Sequence, residues 1–301
     1  MQKYLDIIKN SYSGYWNYLK YELINLNHWD NYFYGLIIIS LVVWLLEIIF
    51  PWRENQSAFR KDFWLDTFYM FFNFFLLNLI ILIALSNTVA QFLNDILGSI
   101  GLYIKNFQFF DVNDLPKWLG LFLFFLVSDF VQWNTHRLLH HVPWLWNFHK
   151  VHHSVKEMGF AAHLRYHWME PVIYKSLLYI PIATIGGYDA KDVSMVYFFS
   201  IIIGHLNHAN LGWDYGFLKY IFNNPKMHIW HHAKALPKHV RFGVNYGLTL
   251  SIWDYLFKTN YVPHSGKDIE LGFSGDDTFP KDFINQELYP VFSQKRKSDL
   301  H

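Results

Sequence analysis

Cysteine is absent from all 301 residues. Disulfides, thiolate zinc sites, cysteine-held iron–sulfur clusters and cysteine nucleophiles are thereby excluded, and any bound metal must use nitrogen or oxygen ligands. Charge is scarce too: 16% of residues are Asp, Glu, Lys or Arg, with a formal net charge of +1. Neither a global field nor a basic block is available to draw nucleic acid, so no such partner is expected. The first thirty residues lack a compact apolar run followed by a small-residue cleavage site, so they do not read as a secretory signal. Residues 1–32 read instead as an interfacial or soluble arm, with tyrosine and tryptophan suited to a headgroup region.

Apolar and aromatic residues are abundant, at 52% and 21% of the chain. Residues 33–50 and Phe63 to Leu85 are long enough to span a hydrocarbon core of about 30 Å at about 1.5 Å per residue, and Trp118 to Trp133 is a shorter third run that could also span. Two shorter apolar segments, 172–187 and 193–204, are joined by turn residues and read as a helical hairpin that enters and leaves on one side. The predicted fold is all-α: a multi-pass membrane protein with about three long spans, the hairpin, and a histidine-rich helical cap. Between the first two spans lie Arg53, Arg60 and Lys61, whereas residues 86–116 carry Lys105 as their sole cation. The positive-inside rule therefore places the cap and the C-terminus in the cytoplasm. The expected divisions are a transmembrane region over 33–116, a catalytic domain over 117–260 and a cytoplasmic tail over 261–301.

Fourteen of the 17 histidines fall between His136 and His239. His136 and His140 are four apart, and His149, His152 and His153 follow the i, i+3, i+4 pattern that stacks rings on one helical face. His228, His231 and His232 repeat it, while His163 with His167 and His205 with His208 lie between. Imidazole binds zinc, copper, iron or nickel as the neutral ring. A single zinc needs about four ligands, so at least ten candidate rings fit two metals better than one. Two divalent ions among neutral rings also call for nearby anions, and Asp129, Glu170 and Asp254 are the carboxylates in reach.

In order and spacing, "SDFVQWNTHRLLHHVPWLWNFHKVHHS", "NNPKMHIWHH" and "VNYGLTLSIWDYLFKT" resemble the histidine boxes of the fatty acid hydroxylase/sterol desaturase superfamily over roughly residues 117–260. The resemblance implies a membrane-embedded di-iron enzyme that uses O2 to hydroxylate or desaturate a lipid C–H bond. It matches His136, His140, His149, His152, His153, His228, His231 and His232 to the three boxes. Arg165, His167 and Glu170 fit an R-x-H-x-x-E element, His208 the isolated histidine before the last box, and Asn245 an asparagine able to contact a metal or its water. His163 and His205 stand as neighbours or further ligands. Two positions depart from the pattern: Lys258 replaces a usual glycine and Gly243 a common acidic residue. Two iron ions are the implied cofactor, with zinc able to occupy the same nitrogens. With no dinucleotide fingerprint and no fused haem domain, electrons must come from a separate reductase or redox carrier. The rival readings are a noncatalytic metal-binding membrane protein and a metal transporter, whose ligands would lie at membrane depth rather than beyond the spans.

Overall fold

The computed structural model describes residues 2–25, 31–188, 190–238, 240 and 242–290. His28, His239, His301 and the basic end of the tail lie outside the described residues. Leu, Ile and Val on every side of residues 32–49 make a helix apolar all round, α2 (Tyr32–Ile49), which starts where the Asn31 side chain accepts the Tyr34 amide. Of its side chains only Leu36, Ser40 and Val43 are buried, while Ile38 is 61% exposed and Leu45 54%. A core helix of a water-soluble protein would hide those groups; this one presents them outward, as a lipid-facing helix does.

After α1 (Gln2–Ile24) and α2, α3 (Phe63–Phe71) runs through two π-helical stretches, Phe72–Leu76 and Asn78–Leu82, into α4 (Ile83–Ser99). By length and composition, Tyr32–Ile49 and Phe63–Ile80 are the two helices apolar enough to cross a membrane among the described residues. The expected third span lies inside α5 (Lys117–His141), a 25-residue helix whose second half turns polar with Asp129, Gln132, His136 and Arg137. The helix that carries the second apolar run continues beyond Leu85 to Ser99. The N-terminal arm does not stand alone, because α1 packs along α4: Lys3 pairs with Asp95 at 2.7 Å, and Asn87 Nδ2 donates to Ser11 Oγ at 2.9 Å.

The hairpin consists of α7 (Met169–Thr184) and α8 (Ala190–His208). Its closed end is tied to the start of α5 by the Lys117–Asp192 ion pair at 2.5 Å and by a two-residue parallel pairing of β1 (Phe110–Asp111) with β2 (Ile185–Gly186). The hairpin therefore reaches as far from the histidines as α5 does. At the opposite end Glu47 of α2 accepts the Phe160 and Asn210 amides at 2.9 and 2.7 Å, joining this helix to the cap.

The cap is built from α6 (Pro143–His153), α9 (Pro225–His231), α10 (Ile252–Leu256), α11 (Phe283–Leu288) and the loops around them. A buried ion cluster supports it: Asp66 accepts from Arg60 at 2.5 Å and from Arg165 at 2.9 Å. Arg60, counted above toward a cationic loop, is thus 5% exposed and engaged inside the protein; Arg53 likewise donates to the Lys267 carbonyl at 2.7 Å. The charge asymmetry between loops is partly structural, which weakens it as a guide to orientation.

Lys258 occupies the left-handed region at φ 58°, on an exposed turn after α10. A Cβ there costs about 1–2 kcal/mol, which explains why glycine suits the position. Lys258→Gly is expected to raise stability by about 1 kcal/mol, the glycine's greater freedom in the unfolded chain offsetting part of the relieved strain. A thermal melt that falls on substitution would contradict this account.

Candidate metal centre

Each histidine box sits where a helix end delivers it. The last two turns of α5 carry His136 and His140, the last two turns of α6 His149, His152 and His153, and α9 His228 and His231 with His232 just past its end. The end of α8 adds His205 and His208. Nine of the described rings fall into two buried groups: His136, His140, His149, His153 and His231, and beside them His152, His208, His228 and His232. Within each group the candidate nitrogens all lie within 4.8 Å of one another. The groups adjoin: the His153 and His232 rings stack at 4.5 Å.

Hydrogen bonds at the opposite ring nitrogens decide what those nitrogens can do. His136 Nδ1 meets the Tyr246 carbonyl at 2.8 Å, His231 Nδ1 the Val244 carbonyl at 2.8 Å, His152 Nδ1 the Arg165 carbonyl at 3.1 Å and His208 Nδ1 the Gly204 carbonyl at 2.8 Å. A carbonyl only accepts, so each Nδ1 carries the proton and each Nε2 presents a lone pair. His149 is set the same way by Glu170, whose carboxylate accepts from Nδ1 at 2.8 Å. Yet His136 and His149 bring their Nε2 atoms to 3.1 Å, and His152 and His208 bring theirs to 3.3 Å. Two lone pairs cannot hydrogen-bond each other; a cation between them resolves the conflict. The Nε2 atoms of His140, His153 and His231 are buried without any partner, as metal ligands would be before the ion is counted. The residues fit two metal ions on nitrogen.

Burial, and then the neighbouring rings, hold His149, His153, His228, His231 and His232 well below the ordinary imidazole value, and burial lowers His152 to about 4. Neutral rings are the metal-binding form. Because the folded values are depressed, the unfolded chain binds more protons once the pH falls below about 6.5, so stability is present above that value and is lost as acidification proceeds. Bound metal is expected to be retained on dialysis at pH 7.5 and released progressively below pH 6, with a parallel fall in the melting temperature. Retention at pH 4.5 would contradict it.

The remaining candidates occupy varied positions. His167 stands outside both groups. Its Nδ1 accepts the Met169 amide at 3.1 Å, which consumes the lone pair, and its ring packs on Phe148 at 4.8 Å. His163 and His205 face each other through Nδ1 at 2.9 Å, and His205 Nε2 continues to Ser40 Oγ at 3.2 Å. His163 lies against the second group, its ring 5.1 Å from His208, in space that exists because Gly204 has no Cβ. Arg165 acts through its carbonyl on His152, while its guanidinium is anchored by Asp66 and Ser154.

Asp254 accepts from the Trp133 indole and the Tyr246 and Gly247 amides, shaping the loop whose carbonyls hold His136 and His231. Asn245 spends its side chain on that loop as well, donating to the Met227 and Tyr261 carbonyls at 2.8 Å each. Asp129 accepts from the Trp253 indole at 2.8 Å, one step further from the rings.

Beside the rings opens a cavity of about 940 Å³, its mouth included. Its floor is His136, His149, His152, His208 and His228, and its walls come from α5, α7 and α8. Its mostly apolar walls suit a lipid-like ligand. Of the aromatic run beside the rings, Trp146 packs on His140 at 5.0 Å, Phe148 is buried, and Trp144 is exposed. Asp66 and Asn73 escape sequence reading. Both stand in the second apolar run, and their partners, Arg60 and Arg165 for the first and the Leu164 and Tyr166 carbonyls for the second, are distant for all but Arg60. A carboxylate and an amide in so apolar a run are the signal.

The sequence profile of the Fatty acid hydroxylase family matches residues 121–259. Ornithine lipid hydroxylase OlsE of Rhizobium tropici is 30% identical over 185 residues, 62% of this chain and 54% of that protein. Alkylglycerol monooxygenase of Danio rerio is 28% identical over 248 residues, covering 81% of this chain and 49% of its own. Fatty acid hydroxylase domain-containing protein 2 of Homo sapiens is 28% identical over 161 residues, or 52% and 44% of the two chains. The chain spans about half the length of these curated relatives. No solved structure matches it.

Proposed function

We propose that this chain, whose residues 121–259 match the Fatty acid hydroxylase family and which is similar to lipid hydroxylases, is an integral-membrane lipid hydroxylase. The reaction joins a substrate C–H, O2, two electrons and two protons to give C–OH and water. The electrons come from a separate reductase or redox carrier. The observation that carries this reading is the convergence of nine buried rings, five of which line one mostly apolar cavity.

We propose iron as the resident metal, since zinc fits nitrogen ligands but has no redox chemistry. Two iron ions would supply dioxygen activation and hydrogen removal from carbon. His136, His140, His149, His153 and His231 would hold one, and His152, His208, His228 and His232 the other. Glu170 and the Tyr246, Val244, Arg165 and Gly204 carbonyls keep protons on the outward nitrogens, so the inward lone pairs stay available. Trp146, packed on His140, His149 and His153, shields those rings from water, and α5, α7 and α8 align the substrate carbon over the floor.

The proposed topology is multi-pass, with residues 33–116 as transmembrane region, 117–260 as catalytic domain, and the cap and tail of 261–301 on the cytoplasmic side. A metal transporter is disfavoured because the rings gather at helix ends rather than along a path through the bundle. A noncatalytic metal-binding protein makes a different prediction. Lipids of cells with and without the gene should differ by a gain of one oxygen derived from labelled O2; a loss of two hydrogens instead would mark desaturation. Two bound ions with no O2-dependent change in any lipid would overturn the enzymatic reading.

A further inference from the structure

The cavity walls are mostly carbon, yet they include one ammonium. Lys175 of α7 lines the cavity together with Leu164, Leu178 and Ile201. It lies five residues, about 7.5 Å of helix rise, past Glu170 and away from the cap. Its Nζ donates to Asn78 Oδ1. Asn78 opens the second π-helical stretch of the long α3–α4 helix, a distortion that is frequent at functional positions. Tyr166, Tyr174 and Tyr197 border the same space.

No carboxylate pairs with Lys175 among the described residues, whereas Lys117, Lys156 and Lys234 each have one. Glu170, the acid on the cavity wall, is committed to His149 at 2.8 Å. A lysine serving only the bundle would extend its stem along an outer face and place its charge among headgroups. This one turns inward, toward an apolar cavity, where a cation without a counter-charge is strongly disfavoured and where intramembrane charges generally mark ligand positions.

We infer that Lys175 is the anchor for an anionic oxygen group, carboxylate or phosphate, at the polar end of the lipid that enters the cavity. The inference rests on the lipid-oxidising reading and deepens it by naming the substrate class. With the anion held one and a half turns from Glu170, the carbons presented to the rings are those near the polar end of the molecule, and the rest of the chain lies along the apolar wall.

The test is equilibrium binding of radiolabelled palmitate, hexadecyl phosphate and hexadecanol to the full-length, metal-loaded protein in neutral detergent. At least one anionic probe should bind about tenfold or more tighter than hexadecanol, and which of the two does so separates carboxylate from phosphate recognition. Lys175→Met should abolish the preference, with metal content as the check on folding. Lys175→Arg should keep it, and so should Asn78→Ala, which frees the ammonium without removing it. Equal binding of the three probes by the unaltered protein, or a preference that survives Lys175→Met, would overturn the inference. Binding needs no turnover, so a preserved charge preference without lipid oxidation would sink the oxygenase reading alone.

Discussion

Replacing His232 by alanine is expected to lower bound metal from two ions toward one per chain and to reduce O2-dependent lipid oxidation by more than about 100-fold. Its group has four rings, His152, His208, His228 and His232, which is the minimum for a closed nitrogen site. Removing one leaves three, and His153, though stacked on His232 at 4.5 Å, belongs to the other group. Changes to groups that merely orient a ligand cost about 10–100-fold in affinity or activity, so loss of a ligand itself should exceed that range. His167→Ala is the control. Its Nδ1 lone pair is occupied by the Met169 amide, so metal content should remain at two. Equal metal loss in both variants would show that the partition into two groups is wrong.

The second large effect is one of stability. Asp66 is fully buried between Arg60 and Arg165, at 2.5 and 2.9 Å. Asp66→Asn would leave two guanidiniums in the interior without the carboxylate that joins them, the ion pair left to Arg165 being the longer contact with Asp62 at 3.4 Å. Breaking a buried ion pair by removing one partner typically costs about 3–5 kcal/mol, because the remaining charge is uncompensated. Chemical denaturation should register a loss of that order. The damage should reach the metal centre too, since the Arg165 carbonyl accepts from His152 at 3.1 Å. A variant of unchanged stability would mean that Arg60 and Arg165 find other partners.

What could be read from the sequence followed helical periodicity. His149, His152 and His153 lie three and four apart, and rings at that spacing meet wherever the segment is helical, as α6 is. The same arithmetic paired His136 with His140 and His228 with His232. It could not separate the rings into groups, because the partition crosses the boxes: His152 leaves its neighbours of α6 to join His208, and His231 leaves His228 and His232 to join His136. That exchange depends on how α5, α6, α8 and α9 cross, which no local pattern encodes. His167 shares a box-like spacing with His163, yet a backbone amide captures its nitrogen, a contact fixed by the start of α7. Asn245 was read toward the metal for its place in a motif, whereas its left-handed backbone at φ 53° and its amide both serve the loop that holds His136 and His231. The hairpin was legible from its turn, but its reach was not, since Lys117 and Asp192 are far apart in sequence.

The widened turns between Phe72 and Leu82 carry a lesson for chain editing. Each holds bonds from i to i+5 where an ordinary helix holds i to i+4, so each accommodates one surplus residue without breaking the rod. Excising a single residue there should return the local winding to normal and leave both flanks helical, where the same cut in α2 would rotate everything beyond it. The casualty would be the Asn73 side chain, swung away from the Leu164 and Tyr166 carbonyls that tie the rod to the segment bearing Arg165.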